Sequence, residues 1–225
     1  MEPIAQNIQS FTSELPEHIT LVAVSKTKPN EDILEAYHAG HLIFGENKVQ
    51  DLAAKAAELP KDIEWHFIGH LQRNKVKYIA PFVSLIHAVD SLKLLKEINK
   101  QAQKNDRVIS CLLQFHIASE ESKFGLNMEE AKAILSHPDM GNLKHISIGG
   151  VMGMASYTTD QEQIKQEFAQ LKTIFTQLKE DFFKDHPAFK EISMGMSGDY
   201  KIAIEQGSTM IRIGSAIFGL RACAI

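Results

Sequence analysis

Cysteine is scarce in this sequence, with two residues, Cys111 and Cys223, among 225. Two thiols cannot build a disulfide framework, and Cys111 sits inside an apolar run where a thiol behaves as a small hydrophobe. A reducing, cytoplasmic setting is therefore expected. An excess of basic charge is also missing: the formal net charge is -4 and the pI is near 6.2. The broad positive face that nucleic-acid binding requires is excluded on that ground, and small molecules are the expected partners. No run approaches the roughly 20 apolar residues of a membrane span. The first residues, Met1-Glu2-Pro3-Ile4-Ala5-Gln6-Asn7, lack the basic start and apolar stretch of a signal peptide, so neither anchoring nor export is expected. There is no Gly/Ser linker, internal repeat or low-complexity tract to mark a boundary, and the expectation is one domain over residues 1–225.

What is present is the material of a packed α/β protein. Hydrophobic residues make up 44% of the chain and charged ones 23%, enough for a substantial core. Ile4, Ile8, Phe11 and Leu15 recur at helical spacing and predict an amphipathic helix ending by Pro16. After it, short apolar runs alternate with helical patterns. The predicted strands are residues 19–26, 41–45, 64–69, 84–89, 108–118, 145–154, 191–196 and 210–218. Between them, Asn127 followed by Glu130 predicts a capped helix. Ile164, Phe168, Leu171, Phe175, Leu178 and Phe182 draw one buried stripe along another. Eight strands separated by helices predict a single (β/α)8 TIM barrel, with a doubly wound open sheet as the alternative.

The barrel predicts functional groups at the carboxyl ends of several strands. Lys26 closes the apolar run Ile19-Thr20-Leu21-Val22-Ala23-Val24-Ser25, and Pro29 prevents a helix from starting at once. An amine among apolar walls loses its proton more easily and becomes a nucleophile suited to Schiff-base chemistry. In the last strand, Ile211 and Ile213 share one face, which sends Arg212 to the other, the barrel interior. With five donors and no acceptor, a buried arginine there can donate to an unprotonated ring nitrogen, a carboxylate or a phosphate. Gly214-Ser215 follows directly and suits a phosphate cradle, since barrels often bind phosphate after strands seven and eight. Ser193-Met194-Gly195-Met196-Ser197-Gly198-Asp199 offers the matching half, with the hydroxyls of Ser193 and Ser197 and two glycines at a strand-to-helix turn.

Taken singly, each feature has an ordinary reading. Lys26 could face solvent, Arg212 could be half of a structural ion pair, and Gly-Ser after a strand usually makes only a turn. Their coincidence carries the argument, because the first and last strands become neighbours when a barrel closes. His66 and His70 suggest a metal pair only weakly: no third ligand has a natural place, so no metal is expected and a structural or supporting role is preferred. Lys28 reads as an exposed loop lysine that could assist transfer of an aldehyde. The acidic stretch Ser119-Glu120-Glu121-Ser122 is most simply a solvated loop.

Five motifs resemble the signatures of the YggS/PROSC pyridoxal 5′-phosphate homeostasis proteins: Val24-Ser25-Lys26-Thr27-Lys28-Pro29, Phe44-Gly45-Glu46-Asn47, Trp65-His66-Phe67-Ile68-Gly69-His70-Leu71-Gln72, Ser193 to Asp199, and Arg212 to Gly219. The match runs in order over nearly the whole chain. The resemblance implies a fold-type III barrel like the N-terminal domain of alanine racemase, with pyridoxal phosphate held as a Schiff base. It implies that Lys26 is the attachment lysine, that Arg212 faces the pyridine nitrogen, and that Ser197, Gly214 and Ser215 bind the phosphate. It further implies a place near the ring for Asn47 and a cofactor wall on strand six for Met152. Asn47, with Gln50 three residues on, also fits a simple helix cap. Lys123 and Gly125 lie near the family's Lys-x-Gly pattern, to which no role is attached.

The resemblance implies a carrier and buffer that supplies the cofactor to pyridoxal-phosphate-dependent apo-enzymes, without robust catalysis and with no catalytic residue. An amino-acid racemase is the alternative. Racemisation needs acid/base groups on both faces of the substrate adduct, and the alanine racemases bring a tyrosine from an extra C-terminal β domain. This chain ends at Ile225, just after the eighth strand, which argues against that alternative and for a monomer. A class I aldolase, whose amine usually comes from a later strand, is weaker still.

Overall fold

The computed structural model describes residues 3–120 and 124–219. Cys223 and Lys123, singled out above, lie outside the described residues, as do Glu121 and Ser122. In chain order the elements are α1 (Ile4–Glu14), β1 (Thr20–Val24), α2 (Asn30–His38), β2 (Ile43–Glu46), α3 (Val49–Glu58), β3 (Glu64–Phe67), α4 (Val76–Ile79), β4 (Leu85–Val89), α5 (Leu92–Lys104), β5 (Ile109–Gln114), α6 (Met128–Leu135), β6 (Ile146–Met152), α7 (Gln161–Phe182), β7 (Glu191–Met196), α8 (Tyr200–Glu205), β8 (Met210–Ile213) and α9 (Ser215–Phe218). All neighbouring strands pair in parallel, and β8 returns to β1 in the register Thr20↔Met210 to Ala23↔Ile213. That closing pair makes the sheet a TIM barrel and excludes the open doubly wound alternative.

Alternation along the strands divides the apolar residues between two layers. Outward-facing side chains such as Ala23, Phe44, Trp65, Ile86, Val151 and Ile211 join the helices in one large core that encircles the barrel. Inward-facing Val22, Leu85, Ala88, Leu112, Met152 and Met210 form a smaller core that fills the bore. On top of this inner layer the interior turns polar, with His66, His87, Gln114, Ser193 and Arg212 all buried.

The helix signals hold where the capping chemistry is local. Asn127 accepts from the Glu130 backbone and Glu130 reaches back to the Asn127 N–H, a full capping box on α6. The stripe read along α7 is buried at Ile164, Phe168, Leu171 and Leu178. α1 packs against α2 and α9, and the Asn7 side chain donates to the Ile217 carbonyl at 2.9 Å.

Several predicted strands overrun the real ones. β1 stops at Val24, two residues before Lys26, and β8 stops at Ile213, after which residues 215–218 form α9. Likewise β5 ends at Gln114 and β6 at Met152. Past β5 and β8 the reason is the same: apolar residues continue beyond the strand, as in Ile117, Ile217 and Phe218, but are buried by a turn or helix folding back onto the core.

Candidate functional site

At the carboxyl ends of the strands lies a cavity of about 880 Å³, lined from several elements by Lys26, Asn47, Gln114, Ser197, Arg212, Gly214 and Ser215, among others. The first and last strands deliver their groups to the same wall because β1 and β8 are paired.

Lys26 is half-buried and sits in a tight turn. Thr27 adopts φ +66°, and the Lys28 N–H donates to the Ser25 carbonyl at 3.0 Å. Ser25 is fully buried and locked from three sides. Its N–H donates to the Gly45 carbonyl at 3.0 Å, its hydroxyl donates to Glu46 Oε1 at 2.7 Å, and its carbonyl accepts from Lys55 Nζ at 3.0 Å. The turn that carries the amine is thus held by groups from β2 and α3. Lys28 also reaches the wall, but its ammonium donates to the Phe218 carbonyl at 2.6 Å and ties this turn to the end of α9.

Arg212 behaves as its strand pattern predicts. It is 5% exposed, donates from Nη1 to Ser193 Oγ at 2.6 Å and from Nη2 to the Gly153 carbonyl at 3.1 Å, and still lines the cavity. Burial pulls its guanidinium down to about 10, with Asp199 acting in the opposite direction, so it stays charged at neutral pH.

Beside it, the Ser197 hydroxyl accepts from the Gly214 N–H at 3.3 Å, joining the turn after β7 to the start of α9. Amides in the first turn of a helix have no intrahelical acceptor, so an anion is favoured here. The shape of the β7 turn depends on Gly195, at φ +97°, where a Cβ would come 2.6 Å from the Ala203 Cβ.

Asn47 lines the cavity and is not a helix cap: Lys48 occupies the N-cap position of α3, and no side-chain cap bond is made there. Its carbonyl packs against Gly69, where a Cβ would lie 2.3 Å from the Asn47 oxygen, so the loops after β2 and β3 can touch only through glycine. His70 lines the same cavity, stacked on Phe124 at 4.7 Å between ring centroids, with Nδ1 3.7 Å from Asp90 Oδ2. Among the described residues no group of three or more potential metal ligands occurs.

Two of the predicted residues do not reach the cavity wall. Met152 is 1% exposed in the inner apolar layer, and Met154 lines the wall instead. Ser193 is fully buried, one layer deeper than the turn it was expected to furnish, where it accepts from Arg212. Beyond it, Ser193 Oγ lies 3.0 Å from His87 Nδ1, and His87 Nε2 lies 3.1 Å from His66 Nδ1. Burial pushes His66 down to about 3 and His87 well below its ordinary value, the latter helped by His66 and Arg212.

Sequence reasoning missed His87, Gln114, Glu46 and Lys55. One signal was there to be used: Lys55 follows Val49 and Leu52 at spacings of three on the buried stripe of α3, a position where a lysine requires a buried partner.

Comparison with known proteins fits this arrangement. The profile of the alanine racemase N-terminal domain family matches residues 1–222. The pyridoxal phosphate homeostasis protein of Vibrio alginolyticus is 39% identical over 236 residues, covering 98% of this chain and 99% of that protein. The chain belongs to the pyridoxal phosphate homeostasis proteins, within the alanine racemase N-terminal domain family. Another pyridoxal phosphate homeostasis protein, from Mus musculus, is 38% identical over 233 residues, covering 98% of this chain and 84% of that one. PipY of Synechococcus elongatus, solved with PLP bound, superposes with a TM-score of 0.85 at 35% identity, over 96% of this chain and 100% of that one. Alanine racemase of Bartonella henselae, with covalently bound pyridoxal phosphate, gives a TM-score of 0.71 at 15% identity, covering 97% of this chain and 58% of that one. That likeness concerns the barrel alone.

Proposed function

We propose that this protein binds pyridoxal 5′-phosphate as a Schiff base on Lys26, and that it buffers the cofactor in the cytoplasm and hands it to apo-enzymes. It works as one domain over residues 1–225 and as a monomer, without robust catalysis of its own. The observation that carries the reading is the meeting of Lys26, Arg212 and the Ser197–Gly214–Ser215 turn on one cavity wall. The relatives' names and the PLP-bound structure of PipY support the choice of cofactor.

The residues suit that cofactor. A cavity of about 880 Å³ is ample for a small-molecule site. Arg212 spends two of its five donors on Ser193 and Gly153, and its side chain still lines the cavity. Gly198 stands beside Ser197, where a Cβ would meet nothing within 4 Å, so the anion-binding turn is open to the cavity.

The cofactor supplies an aldehyde that condenses with a primary amine, with loss of water, and a ring that withdraws electrons from the product. Lys26 supplies the resident amine. Arg212 has donors and no acceptor, so it would donate to a ring nitrogen facing it and keep that nitrogen unprotonated, which would leave the ring a weak electron sink. Ser197, Gly214 and Ser215 would hold the phosphate, and Asn47, on the same cavity, would face the ring. Met152 supports the floor from the layer beneath, and Ser193 acts through Arg212. Firm anchoring at the phosphate with restrained carbanion chemistry suits a carrier.

The racemase alternative requires a second acid/base group. Of the four tyrosines, Tyr157 lines the cavity, and it stands fully exposed at the rim.

The test loads the purified protein with pyridoxal phosphate, records its visible spectrum, reduces it with borohydride and maps the labelled peptide. Label on Lys26 is expected, and label elsewhere or an absence of bound cofactor overturns the reading. Exchange of amino-acid α-hydrogen with solvent at catalytic rates would replace the carrier with a racemase.

A further inference from the structure

The polar layer on top of the inner apolar core contains a chain of side chains that starts at Arg212 on the cavity wall and runs back through buried Ser193, His87 and His66. Arg212 Nη1 lies 2.6 Å from Ser193 Oγ, Ser193 Oγ 3.0 Å from His87 Nδ1, and His87 Nε2 3.1 Å from His66 Nδ1. The chain crosses the bore from β8 through β7 and β4 to β3. Such a polar string inside a barrel is costly unless every member is satisfied.

Its direction follows from Arg212, which has only donors. Nη1–H donates to the Ser193 oxygen, so the Ser193 hydroxyl hydrogen needs an acceptor of its own. His87 Nδ1 is the acceptor within reach. His87 must then carry its proton on Nε2 and donate it to His66 Nδ1, which places the His66 proton on Nε2. In the opposite order, His87 Nδ1–H would donate to Ser193, and the hydroxyl hydrogen would have no acceptor among the described residues. A buried hydroxyl left in that state is strongly disfavoured.

We propose that His87, acting through Ser193, is the positioning residue that fixes the Arg212 guanidinium, with His66 holding His87 in its Nε2–H tautomer. The Gly153 carbonyl, accepting from Nη2 at 3.1 Å, is the second fixed point. A planar guanidinium held at two of its nitrogens cannot rotate about its long axis, so its remaining donors keep one direction into the cavity. The role of this chain toward the cofactor rests on the reading of Arg212 given above, whereas its internal direction does not.

Long-range ¹H–¹⁵N correlation on the full chain without added cofactor reads both tautomers directly. Neutral rings with the proton on Nε2 are expected for His66 and His87 at pH 7, and a proton on His87 Nδ1 overturns the proposal. In cofactor binding, Ser193→Ala and His87→Phe are expected to weaken pyridoxal phosphate affinity by about tenfold, the scale of one lost hydrogen bond to a charged group. They are also expected to shift the visible absorption of the bound cofactor. His87→Asn places an amide oxygen near the former Nδ1 and is expected to restore the wild-type absorption. Equal losses in the Phe and Asn variants would reduce His87 to packing and overturn the proposal. If the wild-type chain binds no cofactor while the tautomers are as assigned, the cofactor reading falls and the hydrogen-bond direction stands.

Discussion

Glu46 at the end of β2 and Lys55 in α3 form a buried ion pair, Nζ 2.6 Å from Oε1, with the Ser25 hydroxyl donating to the same oxygen at 2.7 Å. Glu46 Oε2 has no hydrogen-bond partner among the described residues. A buried pair contributes little stability compared with an apolar replacement, but breaking it is expensive. What this pair achieves is placement, because Ser25 is bonded to both partners and Lys26 is the next residue.

Lys55→Met strands the Glu46 carboxylate and is expected to cost about 3–5 kcal/mol in denaturant unfolding. Replacing Glu46 and Lys55 together by methionine leaves no charge stranded, so its loss should be smaller than that of Lys55→Met alone. A larger loss in the double variant would show that the pair is a net source of stability.

Lys26→Ala is expected to abolish borohydride-stable labelling while leaving weaker binding anchored at the phosphate turn. Stability should change little, since the side chain is half-buried at a turn whose fixed points are Ser25 and Glu46. An unaltered visible spectrum would rule out Lys26 as the attachment point.

Arg212→Ala removes the donor to Ser193 and to the Gly153 carbonyl. Each buried group left unsatisfied costs about 1–3 kcal/mol, and cofactor dissociation should accelerate by at least about tenfold. Retention equal to wild type would leave Arg212 a packing role only.

Acid is expected to destabilise the fold through the histidines of the bore. His66 titrates at about 3 in the folded chain because of burial, against 6.5 when unfolded. Above 6.5 both states are neutral. Between 6.5 and 3 the unfolded chain binds a proton that the folded one does not, so stability falls as pH falls, at up to about 1.4 kcal/mol per unit for this group. His87, also depressed, adds to the same slope. Denaturant midpoints from pH 7 to pH 5 should fall less steeply in His66→Phe than in wild type.

Cys111 is fully buried and its thiol is pushed up to about 12. At pH 8 it should resist alkylation in the folded chain and react once the chain is unfolded, as peptide mapping of that residue would report.

The barrel was legible because eight apolar runs, each of strand length, leave little choice once helices separate them. Lys26, Arg212 and the Gly214–Ser215 turn were legible for a related reason: they fall at strand ends, where barrels gather their chemistry. The ends themselves were not. Ile217 and Phe218 continue an apolar alternation, and only their burial in α9 distinguishes a short helix from more strand. Less legible still was the inside of the bore. Ser193 looked like part of an anion turn because it precedes Ser197 and Gly198, but the pleat turns it inward onto Arg212. His87 and His66 meet there through the register of strands far apart in sequence, which no local pattern encodes.

The inner layer of Val22, Leu85, Ala88, Leu112, Met152 and Met210 also has a kinetic consequence. Among the described residues it stoppers the barrel axis beneath Arg212. Among the described residues, the mouth of the cavity is framed by the exposed Phe124, Tyr157 and Met196, and arrival and departure share that doorway. A bulky label on that frame should slow loading and unloading by the same factor and leave the equilibrium between them untouched.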